Sequence, residues 1–375
     1  MGTAYTGTGS DLFFDGRGVA RDRVGRPVRA EVSVSPGLRP EEVDLERSPV
    51  LVLWVPTRAR EGCRVCGVEP RPYRDPDELS TLDAMRLMND IRTFGPVSLV
   101  LTGGDPLRRP DLSQLVSHGA RIGLRMGLSL PCGVGASADL LRSLRRSGLG
   151  RISIRLHGVP VSGAGDSPDS GAVRTLLLAG DVGLATQAET KLDVDGVETL
   201  DPMADALVRL GVGRWSVSVP VDADAVALGA VAAERAIRRL SELGDRLPLH
   251  ISVTGAPQAR RIALQRAGVP ATDADRPALG DGRGVLFVGH DGAIRPARRL
   301  PPGGMARTDD VAAVYRSGFF RAFRDRERLK GKCGICEYRS VCGGSRARAL
   351  AVTGDALEAD PLCPYLPKGR GAAVG

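Results

Sequence analysis

Apolar positions along the middle of the chain follow two alternating patterns. Residues 50–55 form the continuous apolar run Val-Leu-Val-Leu-Trp-Val, which is typical of a strand buried on both faces. Ser80 can cap a following helix whose apolar stripe runs from Leu82 to Ile91. Five further strand–helix pairs are predicted, with strands over 97–101, 123–130, 152–156, 187–194 and 215–219 and helices over 111–117, 136–146, 173–179, 202–210 and 226–243.

Six strand–helix units in series predict an α/β fold with a parallel sheet. About 200 residues of such units favour a partial or full barrel over an open three-layer sheet. The alternation fades after a strand at 249–253. The segments 284–288 and 293–296 then flank Asp291-Gly292, a pattern that predicts a β-hairpin, and a helix is predicted over 311–324.

These changes divide the chain into three predicted parts. Residues 1–47 are rich in Gly, Arg and Pro and are expected to form a poorly ordered N-terminal arm. Residues 48–257 are expected to form the barrel, and residues 258–375 a small cysteine-rich domain.

Composition narrows the class of protein. The 375 residues are 42% hydrophobic and 26% charged, which excludes a disordered tail and a disulfide-stapled mini-protein. The net charge is +8, but the arginines are spread along the chain, so we expect no nucleic-acid partner. The sequence contains neither an apolar run long enough to span a membrane nor a recognisable signal peptide, so we expect a cytoplasmic protein with no membrane partner.

Cysteines carry the strongest chemical signal. Four of the seven lie near the end of the chain with the spacing C-x2-C-x5-C-x20-C, namely Cys333, Cys336, Cys342 and Cys363. Four thiolates can fully ligate one tetrahedral metal ion or one four-iron cluster. Four unrelated buried thiols are the less probable interpretation, whereas zinc remains a real competitor of iron–sulfur.

Two further motifs follow the first two predicted strands. Cys63 and Cys66 form a C-x2-C pair directly after the first strand and can contribute to a metal site. Gly103-Gly104-Asp105-Pro106 ends the second strand, at the edge where parallel α/β proteins bind ligands. Taken alone, such a Gly-Gly-Asp segment is more often only a turn.

Together and in this order, these motifs resemble radical S-adenosylmethionine (SAM) proteins with a C-terminal SPASM or twitch-type auxiliary cluster domain. The resemblance covers residues 49–367 and is closest to haem-pathway decarboxylases and peptide-modifying enzymes of that superfamily. It implies a partial (β/α)6 TIM-like barrel with a small iron–sulfur domain. It also implies an auxiliary [4Fe–4S] cluster on the four C-terminal cysteines, and a second [4Fe–4S] cluster at Cys63 and Cys66.

The resemblance further implies the reaction and its partners. Gly103, Gly104, Asp105 and Pro106 would cradle the methionyl amine of SAM, whose reductive cleavage gives a 5′-deoxyadenosyl radical that abstracts hydrogen. The expected substrate is a peptide or a tetrapyrrole-like molecule, and the reductant a flavodoxin or ferredoxin.

The chain departs from the family at one critical place. The family motif C-x3-C-x2-C has its first cysteine at the position of Ala59, or of Arg60 if one residue is deleted. Cys132 follows the third strand and is a candidate third thiolate, although a small buried apolar residue is the favoured interpretation. His157 and Arg155 lie at the end of the fourth strand, where a structural histidine and a salt bridge are expected.

Three functions therefore remain open from the sequence. The first is a radical SAM enzyme. The second is a catalytically degenerate relative that binds a partner or transfers electrons through its C-terminal cluster. The third is a structural zinc-binding protein.

Overall fold

Strands of the barrel and of the C-terminal segment lie in one continuous sheet. The structure is a computed structural model that describes residues 20–21, 27–28, 44–63, 69–160, 169–271 and 279–368. Within that part of the chain, ten strands form a sheet in the order β12-β11-β10-β3-β4-β5-β6-β7-β8-β9, and β1 and β2 form a separate ladder. The strands are β1 Ala20–Arg21, β2 Pro27–Val28, β3 Leu51–Trp54, β4 Ser98–Leu101, β5 Arg125–Leu130, β6 Leu149–Arg155, β7 Ala185–Lys191, β8 Arg214–Ser218, β9 His250–Thr254, β10 Val285–Val288, β11 Ala293–Arg295 and β12 Gly304–Met305.

Helices follow the barrel strands in regular alternation. They are α1 Thr81–Arg92, α2 Leu112–Arg121, α3 Ala138–Arg146, α4 Ser170–Asp181, α5 Leu200–Arg209, α6 Ala223–Leu228, α7 Ala230–Arg246, α8 Gln258–Ala267, α9 Val311–Tyr315, α10 Gly318–Arg324, α11 Gly331–Gly334 and α12 Arg346–Thr353. The hydroxyl oxygen of Ser80 accepts the backbone N–H of Asp83, as a capping residue should. The six strand–helix units predicted from the sequence are confirmed.

The sheet is parallel from β10 through β9. The predicted hairpin is also confirmed, because β10 and β11 pair antiparallel with Val288 opposite Ile294. Strand β10 belongs to the segment after residue 257, yet it pairs with β3, the first barrel strand. The division of the chain at residue 257 stays a prediction.

Two helices predicted as single elements are each divided. Gly229, at a φ of +74°, separates α6 from α7, and only glycine adopts this backbone conformation readily. Ser317 separates α9 from α10, where its hydroxyl oxygen accepts the N–H of Phe320. Both breaks arise from local backbone geometry, which apolar periodicity does not report.

The two faces of the sheet differ in polarity. The face covered by helices carries the main core, with Trp54, Leu101, Leu128 and Ile154 buried. Side chains alternate between the faces of a strand, so the opposite face carries the intervening residues. Across β5 to β8 these are mainly polar, among them Ser129, Arg151, Ser153, Glu189 and Ser216. An open barrel with a polar interior results.

The C-terminal segment is attached to the barrel through a buried ion pair. Arg348 and Asp360 are fully buried, and two guanidinium nitrogens donate to the Asp360 carboxylate at 2.7 and 2.8 Å. The remaining Nη1 donates to the carbonyl oxygens of Pro220 and Gly255 at 2.9 Å, both beyond the ends of barrel strands. Burial alone would raise the pKa of Asp360, but the Arg348 contacts outweigh it and lower that pKa.

No helix in the described part of the chain has the length and apolar character needed to cross a lipid bilayer.

We predict that Arg348→Met strongly destabilises the fold. The substitution leaves the Asp360 carboxylate buried without its partner, which costs about 3 to 5 kcal/mol of unfolding free energy. The midpoint of urea denaturation measures this loss. Lys330→Met is the control, because it removes an exposed ion pair with Asp355 and should leave the midpoint nearly unchanged. Equal midpoints for both variants would contradict the assigned role of Arg348.

Candidate functional site

Three potential metal ligands meet at the carboxyl edge of the parallel strands. Cys63 lies in the segment after β3, Cys132 follows β5 and His157 follows β6. Cys132 Sγ is 3.6 Å from Cys63 Sγ, and His157 Nε2 is 2.9 Å from Cys63 Sγ. All three donor atoms lie within 4.8 Å of one another, and no other group of three His, Cys, Asp or Glu donors in the described residues does so.

This arrangement differs from the favoured interpretation of Cys132. Its side chain is half-buried and contacts Cys63, rather than packing into the apolar core. The alternative weighed from the sequence, a thiol at the barrel mouth, describes its position. Cys66, the second member of the C-x2-C pair, lies outside the described residues.

A carboxylate fixes the orientation of the His157 ring. Asp169 Oδ1 accepts from His157 Nδ1 at 2.8 Å, and Asp169 Oδ2 accepts the backbone N–H groups of His157 and Gly158 at 2.7 and 3.2 Å. With Asp169 accepting, Nδ1 carries a proton, and in the neutral ring Nε2 then presents its lone pair to Cys63. Asp169 was not singled out from the sequence, because it lies twelve residues from His157 and belongs to no recognisable motif.

The segment before Cys63 is anchored by a second carboxylate that sequence analysis missed. Glu78 is buried, and its Oε1 accepts the hydroxyl of Thr57 at 2.7 Å and the backbone N–H of Arg58 at 2.8 Å. Arg74 donates to the other oxygen at 2.6 Å. Burial would raise the pKa of Glu78, but these hydrogen bonds lower it, so the carboxylate stays ionised and holds the segment.

Ala59, at the position of the family's first cysteine, is part of this anchored segment. Its side chain is buried, and its carbonyl oxygen accepts the N–H of Asp105 at 2.7 Å. Arg60 forms an antiparallel bridge with Arg71. The start of the loop is thereby held by the backbone and offers no metal-binding side chain at Ala59.

The Gly-Gly-Asp-Pro segment packs directly on that loop. Gly103 and Gly104 have φ values of +74° and +55°. A Cβ atom on Gly104 would lie 2.2 Å from the Thr57 carbonyl oxygen, so glycine is required for the close approach. Asp105 is buried and accepts the N–H of Leu107 at 3.0 Å, while burial raises the pKa of its carboxyl group. Its side chain therefore shapes this turn.

The C-terminal cysteines line one pocket. Cys333, Cys336, Cys342 and Cys363 surround it, together with the glycines at 343 and 344. Gly344 has a φ of +65°, and a Cβ atom there would lie 3.3 Å from Cys333 Sγ. Asp360 N–H points at the same sulfur, at 3.5 Å. Small residues and a backbone donor beside sulfur suit a cluster bound by four thiolates.

Electrostatics at this pocket also fit a metal centre. Burial raises the pKa of Cys336 to about 11 and that of Cys342 to about 12, with smaller contributions from neighbouring negative charges. Burial likewise raises the pKa of Cys363, although Arg261 and Lys332 oppose it. Four thiolates in this position need the positive charge of a metal, so metal binding must release protons.

The polar interior of the barrel carries the salt bridge expected at Arg155. Arg155 Nη2 lies 3.7 Å from Glu189 Oε2 on the neighbouring strand β7, and Ser129 donates to the same carboxylate. Close by, desolvation and the positive charges of Arg155, Arg299 and Arg60 lower the pKa of Arg298. The mouth is therefore rich in guanidinium groups.

Comparison with known proteins decides the family. The AdoMet-dependent heme synthase of Oleidesulfovibrio alaskensis is 31% identical over 351 residues, which cover 86% of this chain and 89% of that relative. The chain belongs to the radical SAM family, with a SPASM-type C-terminal domain. Its cofactors are accordingly SAM and [4Fe–4S] clusters, whereas the residues that hold them stay predictions. No protein-family model matches the chain.

Other relatives of this radical SAM protein agree with the assignment. The PqqA peptide cyclase of Streptomyces rochei is 25% identical, covering 81% of this chain and 86% of that protein. The crystal structure of Streptococcus suis SuiB bound to S-adenosylmethionine superposes with a TM-score of 0.65, at 14% identity, covering 85% of this chain and 78% of that one. The structural likeness confirms the expected partial barrel.

We predict that Gly104→Ala in this radical SAM protein weakens SAM binding at least tenfold. The added Cβ must push the Gly-Gly-Asp-Pro segment away from Thr57 and Ala59. Equilibrium dialysis of the anaerobically reconstituted protein with radiolabelled SAM measures the change. Gly95→Ala is the control, because Gly95 also has a positive φ but has no atom within 4 Å of the added Cβ. Unchanged binding in Gly104→Ala would exclude this segment from the SAM site.

We predict that Cys342→Ser removes the C-terminal cluster. Iron content should fall by about four atoms per chain, with a matching loss of acid-labile sulfide and visible absorbance. Ser340→Ala, an exposed neighbour of the same segment, should retain the full content. Zinc in place of iron in the anaerobically isolated protein, lost on Cys342→Ser, would contradict an iron–sulfur site here.

Proposed function

We propose that this chain cleaves SAM reductively at the barrel mouth and uses the resulting radical to abstract hydrogen from a peptide or tetrapyrrole-like substrate. The observation that carries the proposal is the 31% identity to an AdoMet-dependent heme synthase over 86% of the chain. A flavodoxin or ferredoxin would deliver, through a four-iron cluster at the mouth, the one electron that cleaves the C5′–S bond of SAM to methionine and the 5′-deoxyadenosyl radical.

The residues of the mouth have separate tasks in this proposal. Cys63 and Cys132 are thiolate ligands, because their sulfur atoms meet at the carboxyl edge of the sheet. The turn at Gly103 and Gly104 would hold the amine of SAM through its backbone. Glu78 keeps the Cys63 segment in place against them through Thr57 and Arg58. The family's missing cysteine is thereby replaced from another strand.

The guanidinium groups of the mouth favour a substrate with carboxylates. Arg60, Arg155, Arg298 and Arg299 lie close enough for the other three to lower the pKa of Arg298. Guanidinium groups match carboxylates in bidentate geometry. Acidic side chains of a peptide and the carboxylates of a tetrapyrrole both meet this requirement.

A second candidate function rests on Ala59. Ala59 occupies the position of the family's first cluster cysteine. Its side chain is buried and its carbonyl oxygen accepts the N–H of Asp105, so this position offers no thiolate. If the mouth binds no cluster, the chain is a degenerate relative that acts through its C-terminal cluster as a binding or electron-transfer partner.

We predict that the anaerobically reconstituted protein forms 5′-deoxyadenosine from SAM and dithionite, and that Cys63→Ala forms none. Liquid chromatography with mass detection measures the product. The absorbance of the C-terminal cluster must persist in the variant, which shows that its fold is retained. Absence of 5′-deoxyadenosine from a wild-type protein with its full iron content would favour the degenerate relative.

A further inference from the structure

We propose that His157, oriented by Asp169, is a ligand of the metal centre at the barrel mouth, together with Cys63 and Cys132. This donor set of two thiolates and one imidazole takes the place of the family's three thiolates from one loop. This inference deepens the proposed function. It depends on that function only for the presence of a metal at this site.

Position is the first argument for His157 as a ligand. Its Nε2 atom lies 2.9 Å from Cys63 Sγ, and the three donor atoms share one volume less than 4.8 Å across. Cys63 lies in the loop after β3, whereas Cys132 and His157 follow directly on β5 and β6, and the carboxyl ends of these three strands meet at one edge. Two of the three donors are therefore held at strand ends rather than by the cysteine loop.

The tautomer of His157 is the second argument. Nδ1 donates to Asp169 at 2.8 Å, so in the neutral ring the Nε2 lone pair is directed at Cys63. Metal-binding histidines commonly donate their other ring N–H to a carboxylate, which fixes the ring and strengthens the ligand. Asp169 is itself held by two backbone N–H groups, so the pair is oriented before any metal arrives.

The requirement for SAM is the third argument. SAM needs one iron of a four-iron cluster free of protein ligands, so three protein donors suffice. Cys63, Cys132 and His157 bring three donors to one centre without a cysteine at position 59.

The spacing of these donors fits a single metal ion more closely than a four-iron cluster, whose protein ligands bind separate iron atoms, so a cluster would require the three donors to move apart. A tetrahedral zinc with Zn–S bonds of about 2.3 Å has sulfur atoms about 3.8 Å apart, close to the 3.6 Å between Cys63 and Cys132. The thiols of the C-terminal pocket are more widely spaced, since no three of them meet within 4.8 Å. Metal analysis must therefore establish two things separately, namely which residues bind the metal and which element is bound.

The decisive experiment detects histidine nitrogen at the metal. Wild-type protein is labelled with [15N]histidine, reconstituted with iron and sulfide, reduced, and examined by pulsed EPR without SAM. We expect a strong 15N coupling that is lost in His157→Ala and kept in His118→Ala, whose histidine lies on α2 outside the site. A coupling unchanged in His157→Ala, or absent from wild-type protein with both clusters, overturns the proposal.

Metal content gives an independent result that does not depend on activity. Metal bound at the mouth should be lost in His157→Ala and in Cys132→Ala and retained in His118→Ala. Retention of this metal in His157→Ala overturns the proposal. Asp169→Asn tests the positioning residue, and should speed metal loss to a chelator about tenfold while the 15N coupling remains detectable.

The two proposals can fail separately. One zinc per chain that disappears in His157→Ala would support the ligand set and contradict the proposed function. Normal 5′-deoxyadenosine formation in His157→Ala, with unchanged iron, would support the proposed function and contradict the ligand set.

Discussion

Parallel strand order is the constraint on which the mouth of this protein depends. Eight neighbouring strands run in the same direction, so the loops after β3, β4, β5 and β6 all open at one edge of the sheet. Cys63, the Gly-Gly-Asp-Pro segment, Cys132 and His157 lie far apart in sequence but follow these four strands in turn. A donor lost from one loop can therefore be replaced from the end of a neighbouring strand, without any change in the fold.

Buried carboxylates fix the positions of the loops at this edge of the sheet. Glu78 holds the segment before Cys63, Asp169 holds the His157 ring, and Asp360 with Arg348 fastens the C-terminal segment to loops beyond β8 and β9. Each of these carboxylates accepts several hydrogen bonds, so each fixes more than one group. The Ala59 carbonyl oxygen accepts the Asp105 N–H and so joins the cysteine loop to the Gly-Gly-Asp-Pro segment. The mouth is thus preorganised by polar contacts set on an apolar barrel.

Much of the fold could be predicted because apolar runs and stripes report burial directly. The strand–helix units and the hairpin at Asp291-Gly292 followed from them, whereas the break at Gly229 did not, since periodicity is unaffected by one residue of positive φ. At the site, the motifs indicated Cys63 and the C-terminal cysteines. Glu78 and Asp169 were missed because their partners are distant in sequence or are backbone groups. Only the three-dimensional structure shows that Cys132 and His157 contact Cys63.

In our proposal, the ligands of the first metal centre come from the loops after three different strands, whereas the family motif C-x3-C-x2-C supplies them from one loop. The most direct measurement is a crystal structure of the anaerobically purified protein, with anomalous diffraction data collected on both sides of the iron edge. Our account predicts iron peaks between Cys63, Cys132 and His157 as well as among the four C-terminal cysteines. Iron confined to the C-terminal pocket would contradict it.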